Sequence, residues 1–365
     1  MPSPALLPHL SAAGAQLAQS TPALCLAFSD VPAEYAAARE DAALFEVTDR
    51  DAILVRGADA GDFLQRLLAN RVSGLGPGQG NRTLLLSATG KVLADLDLAV
   101  IDEHTYQLSG APGSAATLLE LLERYIFTED VTLEDISLTH VPLELCGPQA
   151  ASVLERLLGP DSPDLPGEPH AFSELSDLPS LPGPLTITRL TVAGQSGFRL
   201  AGEQQAVGSL WQRLVECGAR PAGFIARESL RVEAGRGRWG LDISDAIYPQ
   251  EARLEEAFSL AKGCYTGQEV VAKIDAYEGL NKRLTTLTCD CDEPVPAGTR
   301  LFRSVAAGRE ADGSETWRDL GVVTTWAYSF AHDCGAVLAY VKRGHLEPGT
   351  VFRLGAGPQS ATVAD

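Results

Sequence analysis

The sequence predicts an α+β protein that folds as more than one domain and closes on a small β-barrel. Three observations carry this. The chain's 365 residues exceed one ordinary core. Between Ala52 and about Thr139 the order is strand, helix, hairpin, helix, strand, which predicts an antiparallel sheet with helices on one face, closer to a ferredoxin-like unit than to a Rossmann one. From about Leu284 onward the pattern turns to short β runs divided by turn residues, as an independent barrel requires.

Taken in order, alanine-rich helix formers mix with prolines up to about Asp41, and Ala42 to Val47 is the first clear element. Ala52 to Arg56 reads as a strand ending at Gly57, and the spacing of Phe63, Leu64, Leu67 and Leu68 makes Ala58 to Asn70 an amphipathic helix. Thr83 to Ser87 and Val92 to Ile101 are strands joined through Ala88-Thr89-Gly90-Lys91, a hairpin signal. In the second strand Asp95 and Asp97 alternate with Leu96 and Leu98, so both carboxylates share one face; spacing alone favours a solvated face. Ser114 to Tyr125 is a helix, after which Val131 to Leu133 and Ile136 to Leu145 read as strands. Gln149 to Leu158 is a short helix, and the seven prolines between Pro160 and Pro184 mark an exposed connection. Leu185 to Val192 and Phe198 to Ala201 form another hairpin. Helices follow over Glu203 to Cys217 and Pro221 to Gly235, the second closed by Gly235 and decorated by Arg227, Glu228, Arg231 and Glu233, a set usual on a solvated face. The barrel runs are Leu284 to Cys289, Arg300 to Arg303, Gly321 to Ala327, Cys334 to Val341 and Thr350 to Leu354.

Composition narrows the function. With 48 acidic and 29 basic residues the formal net charge is -19, which repels polyanions, so direct nucleic-acid binding is not expected. Seven cysteines without a C-x-x-C pair predict a reduced, cytoplasmic protein rather than a disulfide framework. Cys289 and Cys291 share a strand face but lack further ligands at metal spacing, and the six histidines are isolated, so no metal is assigned. Met1 to Gln19 lacks a positive leader region and no apolar run is long enough to span a bilayer, so no membrane is expected. No G-x-G-x-x-G follows a strand, which removes the dinucleotide fingerprint.

The stretch richest in chemistry is Lys262 to Glu269, K-G-C-Y-T-G-Q-E. Thr266 stands three residues before Glu269 and ahead of Val270, Val271 and Ile274, a capping-box signature. Cys264 would then lie two residues before the N-cap, near unpaired amides, the positive helix end and Lys262, all of which favour a thiolate. Gly263 and Gly267 permit positive φ or a close backbone approach. A structural cysteine buried at a glycine-rich helix entry is the competing reading.

Together with R-V-E-A-G at Arg231 to Gly235, P-Q-E at Pro249 to Glu251 and G-K-V-L-A-D-L at Gly90 to Leu96, this octet resembles the YgfZ family of folate-binding proteins, a branch of the glycine-cleavage T-protein superfamily. The resemblance covers nearly the whole chain. It implies a three-domain cloverleaf with a C-terminal β-barrel: residues 1–51 plus 140–235, residues 52–139 plus 236–282 as a ferredoxin-like domain carrying the cysteine motif, and residues 283–365. It also implies a bound tetrahydrofolate, or a one-carbon derivative of it, with Asp95 facing the folate's reactive nitrogens and Arg231 beside the ligand. Tyr265 and Gln268 of the octet join the expected folate contacts. Gln195 departs from the pattern: T-proteins carry glutamate there, whose two oxygens can accept in bidentate fashion, whereas an amide presents one accepting oxygen and a donor instead, so pterin recognition is expected to be looser or shifted.

Because Cys264 has no counterpart in the aminomethyltransferases, the resemblance points to an accessory protein for assembly or repair of iron–sulfur enzymes, tRNA-modifying ones among them. Cys264 would be its reactive thiolate, supported by Lys262 and Asp95, with folate and iron–sulfur client enzymes as partners of a monomeric chain. The motif leaves open whether the protein turns over a substrate. The alternative is a folate-dependent aminomethyltransferase of T-protein type in which Asp95 orients or polarises the folate. A non-catalytic folate sensor is the third reading.

Overall fold

The computed structural model describes residues 3–18, 24–47, 50–176, 178, 181–276, 279–309 and 315–364, without the side chains of 305–309 and 315–316. The chain forms two compact units. One gathers Met1–Ser87, Leu93–Arg227 and Glu256–Thr266; the other gathers Ala88–Val92, Glu228–Glu255 and Gly267–Asp365.

The first unit contains two large sheets besides a two-stranded ribbon of Gln16–Leu17 with Cys25–Ala27. Its five-stranded sheet runs Gly80–Leu86, Val92–Asp102, Thr105–Ser109, Ala52–Arg56, Thr132–Asp135 from edge to edge. Without the Gly80–Leu86 edge strand, the order of the other four is the antiparallel 4-1-3-2 of a ferredoxin-like unit. The expected hairpin exists, yet the pairing at the heart of that unit is Val92–Asp102 with Thr105–Ser109. Thr105–Ser109 follows a turn of only Glu103 and His104 and is five residues long, too short for its alternation to stand out in the sequence. From Val92 to Ile101 burial alternates strictly. Leu96, Leu98 and Val100 pack against Phe63, Leu64, Leu118 and Leu122 of the helices Ala60–Leu67 and Ala115–Glu123, which turns Asp95 and Asp97 to the opposite face.

The second sheet of this unit runs Phe172–Leu175, Leu185–Val192, Gln195–Gly202, Val141–Cys146, Ala43–Glu46, Arg220–Ala222. Every neighbouring pair is antiparallel except the last, which is parallel. Leu143, Leu145, Phe198 and Leu200 point into a core with Val153, Leu154, Leu210, Trp211 and Leu214 from the helices Ala150–Leu158 and Gln204–Glu216. Two expectations are corrected here. Ile136 to Leu145 is not one strand: the Ile136 carbonyl accepts from the Thr139 and His140 amides in a turn, and Val141–Cys146 joins the other sheet. The proline-rich connection is likewise not wholly irregular, because Phe172–Leu175 pairs with Leu185–Val192 at the sheet edge.

In the second unit six strands close into a barrel, in the order Lys282–Cys289, Cys334–Lys342, Glu315–Ser329, Arg300–Arg309, Val351–Leu354, Ser360–Val363. Closure leaves no open sheet edge, and Leu287, Val323, Val337, Val341 and Phe352 fill its interior. The helix Gln268–Ala276 belongs to this unit and corrects the capping-box expectation. It begins at Gln268, so Glu269 is its second residue, and the Glu269 carboxylate pairs with Lys273 at 2.7 Å instead of reaching back. No helix among the described residues is long and apolar enough to cross a membrane.

Candidate functional site

The polar faces of the two sheets in the first unit meet in a layer of charge. Asp97, on the five-stranded sheet, accepts from Arg199 Nη1 of the other sheet at 2.6 Å, and Arg50 Nη2 lies 3.5 Å from the same Oδ2. Arg199 also reaches Glu144, its direct cross-strand partner, at 3.0 Å. Glu144 in turn takes Arg227 Nη2 at 2.7 Å. The result is an alternating chain of carboxylate and guanidinium, and the buried members are paired as burial demands.

Electrostatics follow from this packing. Burial alone would raise the Asp97 carboxyl, but Arg199, Arg50 and His170 reverse that and hold it well below the usual carboxylate range. Glu144 is buried too, and Arg227, Arg199 and Arg50 bring it down to about 2. His140, at the layer's edge with Nε2 3.1 Å from Gln107 Nε2, is pushed down to about 4 by burial and then by Arg199. The layer is not fully satisfied. The Nε atoms of Arg50 and Arg199 are buried with no hydrogen-bond partner among the described residues. Asp97 Oδ1 is approached only by His170 Nδ1, at 3.7 Å, among the described residues.

The residues singled out in the sequence fall at different places. Asp95 shares the face of Asp97, as its spacing predicts, but both of its oxygens are taken by Arg82, Nε at 2.8 Å and Nη2 at 2.6 Å. Arg82 also pairs with Glu256 at 2.9 Å. Gln195 opens the Gln195–Gly202 strand, four residues before Arg199 and therefore on the same sheet face. Lys262 is buried, its ammonium donating to the Gln65 carbonyl while Gln65 Nε2 donates to the Lys262 carbonyl at 2.8 Å, a reciprocal clamp to the Ala60–Leu67 helix. Burial brings the Lys262 ammonium down to about 8. Tyr265, whose ring centroid is 5.3 Å from Lys262 Nζ, is buried; its hydroxyl has no partner among the described residues and is pushed up to about 12 by burial. Cys264 between them is exposed. Gly263 and Gly267 take φ values of 99° and 81°, so the turn does need glycine. Gln268 is the first residue of the following helix.

Arg231 lies in the second unit. All five of its N–H groups are used within the protein: a two-pronged pair with Glu228 at 3.0 and 2.8 Å, Asp242 at 2.7 Å, the Arg236 carbonyl at 2.6 Å and Thr325 at 3.3 Å. It is buried, not part of the solvated helix face that its spacing suggests. Sequence reasoning passed over Arg199, Glu144, Arg50 and His170. A signal existed for two of them: Phe-Arg-Leu and Leu-Glu-Leu set a lone charge between core residues of adjacent predicted strands.

An α+β fold with a closed six-stranded C-terminal barrel, carrying a charged layer in its other unit, defines the class. The comparisons give the family. Residues 12–262 match the GCVT N-terminal domain, and the chain belongs to that family. An aminomethyltransferase of Geobacillus kaustophilus (strain HTA426) is 32% identical over 86% of this chain and 83% of its own length. One of Saccharopolyspora erythraea is 28% identical over 90% and 86% respectively. The crystal structure of glycine cleavage system aminomethyltransferase T from Bartonella henselae superposes with a TM-score of 0.82, at 25% identity, over 98% of this chain and 95% of that one. The expected fold of T-protein type with its C-terminal barrel therefore holds.

The same matches overturn the accessory reading. Relatives that align over most of their length are named aminomethyltransferases, and iron–sulfur client enzymes find no support among them. The reason the sequence misled is local. The cysteine octet is eight residues of strong pattern, whereas kinship with the transferases is spread thinly over more than 300 positions. The expected tetrahydrofolate agrees with the family.

Proposed function

We propose that this chain is a tetrahydrofolate-dependent aminomethyltransferase of glycine-cleavage T-protein type, acting in the cytoplasm. The observation that carries the reading is the Asp97–Arg199–Glu144 layer, whose buried donors are partly unspent. Relatives named aminomethyltransferase over more than four-fifths of their length support it.

A reduced folate fits the groups present. It offers N–H donors on its ring and anionic carboxylates on its tail, and it meets here a carboxylate with one oxygen unspent and two guanidinium groups with an N–H to give. Bound tetrahydrofolate supplies the nitrogens that take up the one-carbon unit. Asp97, fixed by Arg199 and Arg50 and ionised throughout the physiological range, orients and polarises those nitrogens. The role expected of Asp95 passes to Asp97 because Arg82 occupies both Asp95 oxygens. Gln195 lines the same face and would offer the ring an amide in place of a second carboxylate. The division into residues 1–51 plus 140–235, 52–139 plus 236–282 and 283–365 goes with this reading.

The test is transfer of the aminomethyl carbon from a lipoyl-bearing carrier protein to tetrahydrofolate, with ammonia released. Turnover by the wild type that collapses in Asp97→Asn is the expected result. Absence of turnover with every lipoyl carrier offered, despite folate binding, would sink the proposal.

A further inference from the structure

We propose that His170 is a ligand-contacting residue of the Asp97 site, held in place by a strained backbone. It lies in the connection that the sequence reads as exposed loop, and its φ is 62°. A non-glycine residue takes this left-handed conformation at a cost. The surroundings impose it from both sides. The His170 amide donates to the Arg189 carbonyl at 2.8 Å, the Arg189 amide returns to Ala171 at 2.9 Å, and the Phe172 amide donates to Gly78 at 2.8 Å. A Cβ at Gly80 would lie 2.9 Å from the His170 carbonyl and 2.2 Å from that of Leu98, so glycine is what lets the connection press against the strand. Strain that the surrounding bonds over-determine is a mark of functional positions.

What the strain achieves is the placement of the imidazole. Nδ1 stands 3.7 Å from Asp97 Oδ1, too far for a hydrogen bond, and it is shut off from water with no partner among the described residues. An orphaned buried polar atom is itself unfavourable. Two costs thus meet in one side chain, next to a carboxylate whose other neighbours, Arg50 and Arg199, also hold unspent N–H groups. Arg50, Arg199 and His170 all approach the Asp97 carboxylate, and a ligand with a polar ring edge or an acid group beside it would give their orphaned atoms partners. On the reading proposed above, which this inference rests on, that ligand is tetrahydrofolate and His170 binds it directly.

The test compares His170→Asn and His170→Gly with the wild type. Asparagine tolerates the left-handed backbone and glycine adopts it freely, so neither variant disturbs the connection. Both should unfold within about 2 °C of the wild type, because the imidazole's approach to Asp97 is too long for a hydrogen bond and the ring is partly exposed. Their dissociation constants for tetrahydrofolate, measured calorimetrically without oxygen, should rise about tenfold or more. Wild type that binds folate while both variants bind it equally well would overturn the contact and leave the transferase reading standing. Wild type that binds no folate would overturn that reading and this inference with it. A drop in unfolding temperature in both variants, parallel to the loss of affinity, would make His170 a packing residue and also overturn the inference.

Discussion

Around Arg231 every polar atom is spent on protein, whereas around Asp97 several are held back. In the second unit Arg231 donates all five N–H groups, and Asp242 accepts from Arg231, Thr324, Thr325 and the Arg238 amide. In the first unit Asp97, Arg199 and Glu144 use the same chemistry, at distances of 2.6 and 3.0 Å, but leave Nε of Arg199, Nε of Arg50 and Nδ1 of His170 without a partner among the described residues. A closed network rigidifies the fold, and an open one is prepared to bind. The difference sets Arg199, which the sequence reading passed over, apart from Arg231, which the resemblance placed beside the ligand.

The largest effect expected is architectural. Arg231→Met leaves Glu228 and Asp242 buried without their cation and should cost about 3–5 kcal/mol in denaturant unfolding. Turnover per folded molecule should stay within about twofold of wild type; a loss of turnover at full folding would break the contrast. Next comes Asp97→Asn. Turnover should fall on the order of 100-fold, about 2.7 kcal/mol, at a smaller cost in stability because the amide still accepts from Arg199. Similar losses of turnover in Arg231→Met and Asp97→Asn would mean that both networks serve the ligand.

Acid titration sharpens the comparison further. His140 is held at about 4 in the folded protein against an ordinary 6.5, so the unfolded chain binds its proton first. Its contribution is complete above pH 6.5 and disappears as pH falls toward 4, a loss on the order of 3 kcal/mol. Glu144, at about 2 against an ordinary 4.5, adds a second loss between pH 4.5 and 2. His140→Gln should flatten the stability curve in the upper window and leave the lower one intact. An unchanged curve would show that the layer admits water freely. The smallest effect belongs to Cys264→Ser. The thiol is exposed, so stability should change by less than about 0.5 kcal/mol, with turnover near that of the wild type. A collapse of turnover there would return the chemistry to the octet.

Much of this architecture was legible before any coordinates. Alternation placed Asp95 and Asp97 on one face, and Leu96 and Leu98 do enter the core. The strand Ala52–Arg56 has the bounds that its pattern gives, and the late β runs close into the barrel. Elements shorter than the window in which a period can be recognised escaped: Thr105–Ser109, Phe172–Leu175, and the turn that divides Ile136 from Val141–Cys146. The octet misled for a related reason. Its local rules asked for a cap at Thr266, but the helix starts at Gln268 and Lys273 claims Glu269.

By itself the sequence determined which residues are apolar, where the chain turns and which side chains share a face, since those depend on periods of 2 and 3.6 residues along one segment. It therefore settled that Asp97 faces away from the helices of its sheet. Only the tertiary structure decided what Asp97 faces. Arg199, 102 residues further on, neutralises it, and His170 reaches it from a connection with no pattern of its own. Pairing of buried charge is a long-range property, fixed by which two surfaces exclude water between them, and no local period encodes it.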